Sequence, residues 1–168
     1  MPVIHSNIIG TGDKHFIILH GILGMGDNWK THAKNIAQKG YRVHMVDQRN
    51  HGRSFWSEAF NYDMMVEDLL LYLDHHDLKK VIVLGHSMGG KLAMLITLLR
   101  PHSINNLIIA DIAPVNYPND NQNIINALFN LDLNLVRNRN HADELLSNEI
   151  KPKFLRSFLS LKHISEPT

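Results

Sequence analysis

The stretch Val81-Ile82-Val83-Leu84-Gly85-His86-Ser87-Met88-Gly89-Gly90-Lys91 constrains this chain more than any other. Val81 to Leu84 is apolar and rich in β-branched residues, the composition of a buried strand. Leu92 to Leu99 is a strongly apolar segment that reads as a helix. Between them lies a glycine-rich turn with Ser87 at its apex, so the reading is strand, tight turn, helix. Gly85 and Gly89 leave room where a Cβ would collide with the neighbouring strand or helix. A serine on such a turn projects its hydroxyl away from the strand end, and backbone strain of this kind is kept for chemistry. Ser87 is the candidate nucleophile. The competing reading is a glycine-rich turn with a serine helix cap, which needs no activity. The strand before the turn and the helix after it favour the first reading.

The rest of the chain alternates in the same way. Val3 to Ile9 reads as an edge strand closed by the turn cluster Gly10-Thr11-Gly12-Asp13. Phe16 to Leu19 is a compact strand ending at His20-Gly21, followed by the loop Ile22-Leu23-Gly24-Met25-Gly26. Asp27 or Asn28 is expected to cap a helix with Trp29, Ala33, Ile36 and Ala37 on its apolar face, stopped by Gly40. Tyr41 to Val46 is a strand in which Tyr41, Val43 and Met45 alternate with Arg42 and His44. The polar loop Asp47-Gln48-Arg49-Asn50-His51-Gly52-Arg53-Ser54 follows. Asn61 caps a helix with Tyr62, Met65, Val66, Leu69 and Leu73 on one stripe. Beyond the serine turn, Pro101 halts the helix, and Ile104 to Ala110 is one more strand, ending at Asp111-Ile112-Ala113-Pro114.

This order predicts an α/β fold: a mostly parallel sheet with helices on both faces. Sites in such sheets lie at the carboxyl ends of the strands. The loops at His20, Asp47, Ser87 and Asp111 all fall on that edge. Residues 1–118 are read as this core. After Pro118 the character changes. A polar loop over Asn119–Asn123 leads to helical segments at Ile124, Ile125, Leu128 and Phe129, at Asp143 to Leu146, and after Pro152 at Phe154, Leu155, Phe158 and Leu159. Residues 119–158 are read as the start of a helical lid.

A serine hydroxyl needs a base to take its proton, usually a histidine oriented by a carboxylate, and donors for the oxyanion. The N–H of Met88, at the helix N-terminus, is one expected donor. The N–H of Ile22, in the loop after a neighbouring strand, is the other, although His20-Gly21-Ile22 also reads as a plain strand-to-helix turn. Asp111 is the candidate acid, with a turn cap as its alternative. Asp47 is read as structural, satisfied within its own loop by Arg49, Asn50, His51 or Arg53. His86 is too close to Ser87 in sequence to act on it and is assigned a packing or loop-pinning role. With the order serine, acid, histidine, only His141 and His163 follow Asp111. His141 reads as solvated.

Composition removes other classes. The net charge of +1 gives no field for nucleic acid or an anionic membrane. The chain has no cysteine, which excludes disulfides and thiolate metal sites. Its twelve histidines are scattered without a ligand spacing, so no metal is expected. No apolar run approaches the roughly 18 residues of a membrane span, and the first residues do not read as a secretory signal. The expected location is the cytoplasm.

The segments quoted around His20, Asp47–Ser54, Gly85–Lys91 and Asp111–Val115 together resemble the α/β-hydrolase superfamily, and within it the small bacterial esterases of the YbfF type. The resemblance runs from about Phe16 to about Phe158. It implies a serine esterase acting on short acyl esters or thioesters without a cofactor. It also implies Ser87 as nucleophile, the Met88 and Ile22 amides as oxyanion hole and Asp111 as acid. In many members the acid follows a later strand. Members of this family continue past the lid with further strands and the catalytic histidine. Residues 159–168 resemble a translated sequencing adaptor, so the chain is expected to be a C-terminally incomplete fragment with a non-native tail and to lack activity. The strand ending at Ala110 would then be an exposed apolar edge. A catalytically silent scaffold that binds a small ligand is the alternative function.

Overall fold

The computed structural model describes residues 2–115, 122–153 and 156. Two compact units divide the chain, Met1–Pro114 and Val115–Thr168.

In the first unit, five strands make one sheet: β1 (Ser6–Ile9), β2 (Lys14–Leu19), β3 (Tyr41–Val46), β4 (Val81–His86) and β5 (Ile104–Ala110). Their order is β1-β3-β2-β4-β5. β1 runs antiparallel to β3, and all other pairs are parallel. β2 is central: Phe16 lies beside Val43 on one side and Ile82 on the other. Helix α1 (Lys30–Ala37) covers one face, with Ala33 packed among Phe16, Ile18, Val43 and Met45. Helices α2 (Tyr62–His75) and α3 (Met88–Leu99) cover the other, where Leu69, Leu73, Leu92 and Ile96 meet Ile17, Leu19 and Val46. This is the mostly parallel sheet with helices on both faces expected from the alternation of elements.

α1 begins differently from the expectation. A 3₁₀ turn over Gly26–Trp29 precedes it, and Asn28 Oδ1 accepts the Met25 N–H (2.9 Å). Asp27 instead receives Asn7 (2.7 Å) and Arg53 (3.1 Å). α2 starts as expected: Asn61 Oδ1 accepts the Met64 N–H at 2.9 Å, which satisfies one of the orphan donors of the first turn.

His44 departs from the alternating pattern of β3. A strand with one wet face would expose it, but both faces of this sheet are covered, and His44 is buried. It is held by a chain of polar contacts. His15 Nδ1 lies 2.9 Å from His44 Nε2, His44 Nδ1 lies 2.7 Å from the Tyr72 hydroxyl, and Ser6 Oγ lies 2.6 Å from the same hydroxyl. Burial, aided by the charges of His15, His76 and Arg42, lowers the His44 pKa from 6.5 to about 4, and burial pushes Tyr72 up to about 12. The His15 and His76 imidazoles are also shifted down, chiefly by burial.

A folded-state pKa below the unfolded value means that the unfolded chain binds more protons between the two. His44 therefore costs no stability above 6.5, and on the order of 3 kcal/mol is lost as the pH falls towards 4. Urea midpoints at about pH 7 and about pH 4.5 should show this loss, and the non-titrating His44→Gln should lose less over the same interval. Equal losses in the two proteins would refute the assignment.

β5 ends the sheet on its side among the described residues, and Leu107 and Ile108 on it are exposed. In the second unit, α4 (Gln122–Phe129) and α5 (Arg139–Leu146) are joined through a 3₁₀ turn at Leu133–Leu135. α5 starts earlier than Asp143 because Asn138 Oδ1 caps the His141 N–H (3.0 Å). Of the loop expected over Asn119–Asn123, residues 122–123 already belong to α4, and residues 119–121 lie outside the described residues. Phe129, expected on an apolar face, is the last residue of α4 and stands 85% exposed. Pro118, Phe154, Leu155, Phe158, His163 and the rest of 159–168 also lie outside the described residues. No helix among those described is long and apolar enough to cross a membrane.

Candidate active site

Parallel strands β2, β3, β4 and β5 present their carboxyl ends along one edge, so the loops that follow them are neighbours. Ser87 stands at the centre of that edge, between β4 and α3. Its φ of 51° and ψ of −115° place a non-glycine residue at positive φ, a conformation that costs roughly 1–3 kcal/mol and persists only when its surroundings impose it. Those surroundings are visible. The Ser87 N–H donates to the Ala110 carbonyl (3.0 Å), and its carbonyl accepts from Gly90 (2.9 Å) and Lys91 (3.2 Å). A Cβ on Gly89 would run into the Leu19 carbonyl oxygen and lie 2.6 Å from that of His20, so glycine lets α3 sit against the end of β2. The serine is half-buried, and its hydroxyl has no hydrogen-bond partner among the described residues.

The loop after β2 comes up beside the serine. A Cβ on Gly21 would lie 3.3 Å from Ser87 Cβ and 2.8 Å from His86 Nδ1. The turn closes with the Gly24 N–H on the Gly21 carbonyl (2.9 Å), which leaves the Ile22 N–H outside its closing bond. Leu23 takes a φ of 57° to make this turn. The Ile22 side chain points outward, 53% exposed. Met88 is the first residue of α3, so its N–H has no intrahelical acceptor. Met88 thus follows Ser87 directly, and Gly21, the residue before Ile22, approaches Ser87 from the end of β2.

The loop after β3 is a scaffold for the first loop. Asp47 is buried and accepts the Gly26 N–H (2.6 Å) and the Arg53 N–H (3.0 Å), a structural role as read from the sequence. Arg49 does not serve it. Its guanidinium reaches α2 and forms a two-point pair with Asp68, Nε to Oδ2 at 2.5 Å and Nη2 to Oδ1 at 2.8 Å. It also donates to the carbonyls of Ala59 (2.7 Å) and Met64 (3.0 Å). His20 and His51 are buried between the two loops, with ring centroids 5.0 Å apart. No sequence pattern marked Asp68 or the His20–His51 pairing. Asp68 is one of several acidic residues on α2, and only its burial beside Arg49 singles it out.

Asp111 follows β5, beside β4, at a φ of 57°. Its side chain is 88% exposed, and Oδ2 lies 3.7 Å from His86 Nε2. The His86 ring also lies 5.9 Å from that of Trp29. In the second unit, His141 Nδ1 accepts the Arg137 N–H at 3.4 Å.

The chain is similar in sequence and fold to known proteins. A protein-family model described as alpha/beta hydrolase fold matches residues 14–163. A putative esterase/lipase of Haemophilus influenzae is 38% identical over 144 residues, which are 85% of this chain and 50% of that protein. Esterase YbfF of Escherichia coli is 39% identical over 101 residues, 60% of this chain and 39% of that protein. Among solved structures, a marine microorganism esterase superposes with a TM-score of 0.85 at 37% identity, covering 94% of this chain and 62% of that one. The chain spans half or less of the length of these two curated relatives. With the serine turn, the sheet order and a family match over most of its length, the chain belongs to the α/β-hydrolase fold family.

Proposed function

We propose that the protein of which this chain carries the serine turn is a carboxylic ester hydrolase, an esterase or acyl-thioesterase for short acyl chains. The observation that carries this reading is Ser87, held at positive φ between β4 and α3 at the carboxyl edge of the sheet. In the proposed reaction Ser87 Oγ attacks the acyl carbonyl carbon as a base removes its proton. The oxygen that becomes negative is met by the N–H groups of Met88 and Ile22. The intermediate collapses with loss of the alcohol or thiol, which takes up the proton, and water then releases the acid from the acyl-serine. Asp111 enters as the acid, on the strength of its place after the strand beside β4. In this proposal the base is supplied by residues outside those described. Residues 119–158 are proposed as the beginning of a lid. No cofactor enters the scheme, and a cysteine-free chain suits the cytoplasm.

The chain's span of half of the Haemophilus influenzae relative favours a second reading for the 168 residues by themselves, a silent scaffold that binds a small ligand. Turnover of a short-chain p-nitrophenyl ester separates the two. It is expected from a form extended to the length of the curated relatives, and not from the 168 residues alone. Turnover by the 168-residue chain that is lost in His141→Ala would overturn this assignment of the base.

A further inference from the structure

The loop bearing Ile22 is clasped on both sides by imidazoles, and the backbone groups around them dictate their protonation. The Gln48 N–H points at His20 Nε2 (3.1 Å), so that nitrogen must carry a lone pair. His20 Nδ1 then bears the proton and donates it to the Gly21 carbonyl (2.8 Å). The Gln48 side-chain amide donates back to the His20 carbonyl (2.6 Å), which fixes the strand end against the β3 loop. The same logic holds for His51. The Leu23 N–H points at its Nε2 (3.1 Å), so Nδ1 is the protonated nitrogen and donates to the Arg49 carbonyl (2.8 Å). One ring holds the carbonyl before Ile22 and the other holds the amide after it. The peptide that carries the Gly21 carbonyl also carries the Ile22 N–H, the proposed oxyanion donor.

We infer that His51, together with His20, is a positioning residue that locks the Gly21-Ile22-Leu23 turn, with each imidazole required in its neutral Nδ1–H form. This deepens the proposed hydrolase reading and rests on it for its catalytic meaning. The loop of residues 47–54 is then part of the machinery: Arg49, anchored on Asp68, supplies the carbonyl that orients His51. A turn held from one side only can swing its N–H away, and misplacement by about 1 Å is enough to cost about a hundredfold in rate.

Nitrogen-15 NMR of histidine-labelled protein reads the tautomers directly. The expected spectrum shows protonated Nδ1 and unprotonated Nε2 in both rings at about pH 7.5. An Nε2–H tautomer in either ring overturns the proposal. Amide hydrogen exchange gives the second readout. His51→Leu is expected to speed exchange at Leu23 and Ile22 about tenfold or more while Ile17 and Val83 in the sheet keep their protection, and His51→Gln, which retains an acceptor, should restore it. Unchanged exchange at Leu23 in His51→Leu also overturns the proposal. In a form that turns over ester, His51→Leu should lower kcat about tenfold or more with KM within about twofold. If Ser87→Ala leaves that turnover intact, the hydrolase reading falls while the tautomer and exchange results stand. If Ser87→Ala abolishes turnover but kcat survives in His51→Leu, only the positioning role falls.

Discussion

Ser87→Ala is expected to abolish ester turnover, lowering kcat by about five orders of magnitude or more in a form of the protein that turns over a p-nitrophenyl ester. The size of the effect follows from the role proposed for the hydroxyl. Without Oγ no acyl intermediate can form, and only binding and oxyanion stabilisation remain to assist attack by water. The fold should tolerate the change. The hydroxyl makes no hydrogen bond among the described residues, and the turn is held instead by the Ser87 backbone bonds to Ala110, Gly90 and Lys91. Alanine keeps those bonds and the Cβ, so the unfolding free energy from urea titration should change by less than about 1 kcal/mol. The combination of unchanged stability and lost turnover separates a nucleophile from a structural cap, which would show the reverse. Turnover that survives the substitution would remove the acyl-serine mechanism.

Asp68→Ala is expected to destabilise the chain by about 3–5 kcal/mol, a large share of the total stability of a domain this size. Arg49 and Asp68 are 3% and 2% exposed, and their two-point pair lies under α2. Removing the carboxylate strands a guanidinium that cannot lose its proton, in a site buried from solvent. The carbonyls of Ala59 and Met64 and the Phe55 ring, 5.6 Å from the guanidinium carbon, remain as partners but carry no compensating charge. Denaturant titration measures the loss. The double variant Arg49→Met with Asp68→Leu should recover most of it, since a buried pair replaced by apolar groups of similar size costs little. A single-variant loss below about 1 kcal/mol would mean that water already reaches the pair.

The elements of the first unit were legible because their signals are local. β3, β5 and the Asn61 cap of α2 lie where the hydrophobic period and the cap residue put them. The start of α1 was not legible to the same degree. Asp27 and Asn28 both look like caps in sequence, and the choice was made by Asn7 and Arg53, distant residues that claim Asp27. The burial of His44 could not be read from the alternation of β3 for a related reason. Whether a face is wet depends on α2 arriving to cover it, which no window of neighbouring residues contains.

For the candidate site the division is similar. Sequence alone determined that Ser87 stands on a glycine-rich strand-to-helix turn, and that the loops at His20, Asp47 and Asp111 end strands of the same sheet. Those are properties of a few adjacent residues whose side-chain volumes and backbone freedom act locally. Only the tertiary structure decided which loop supports which. Asp47 binds the amides of Gly26 and Arg53, Arg49 crosses to Asp68, and His20 and His51 enclose the Ile22 peptide. The pairings of Asp47 with Gly26, Arg49 with Asp68 and His51 with Leu23 join residues about 20 to 30 positions apart through hydrogen bonds that no periodicity encodes. They come into being when the parallel sheet brings the strand ends side by side and removes water from between them.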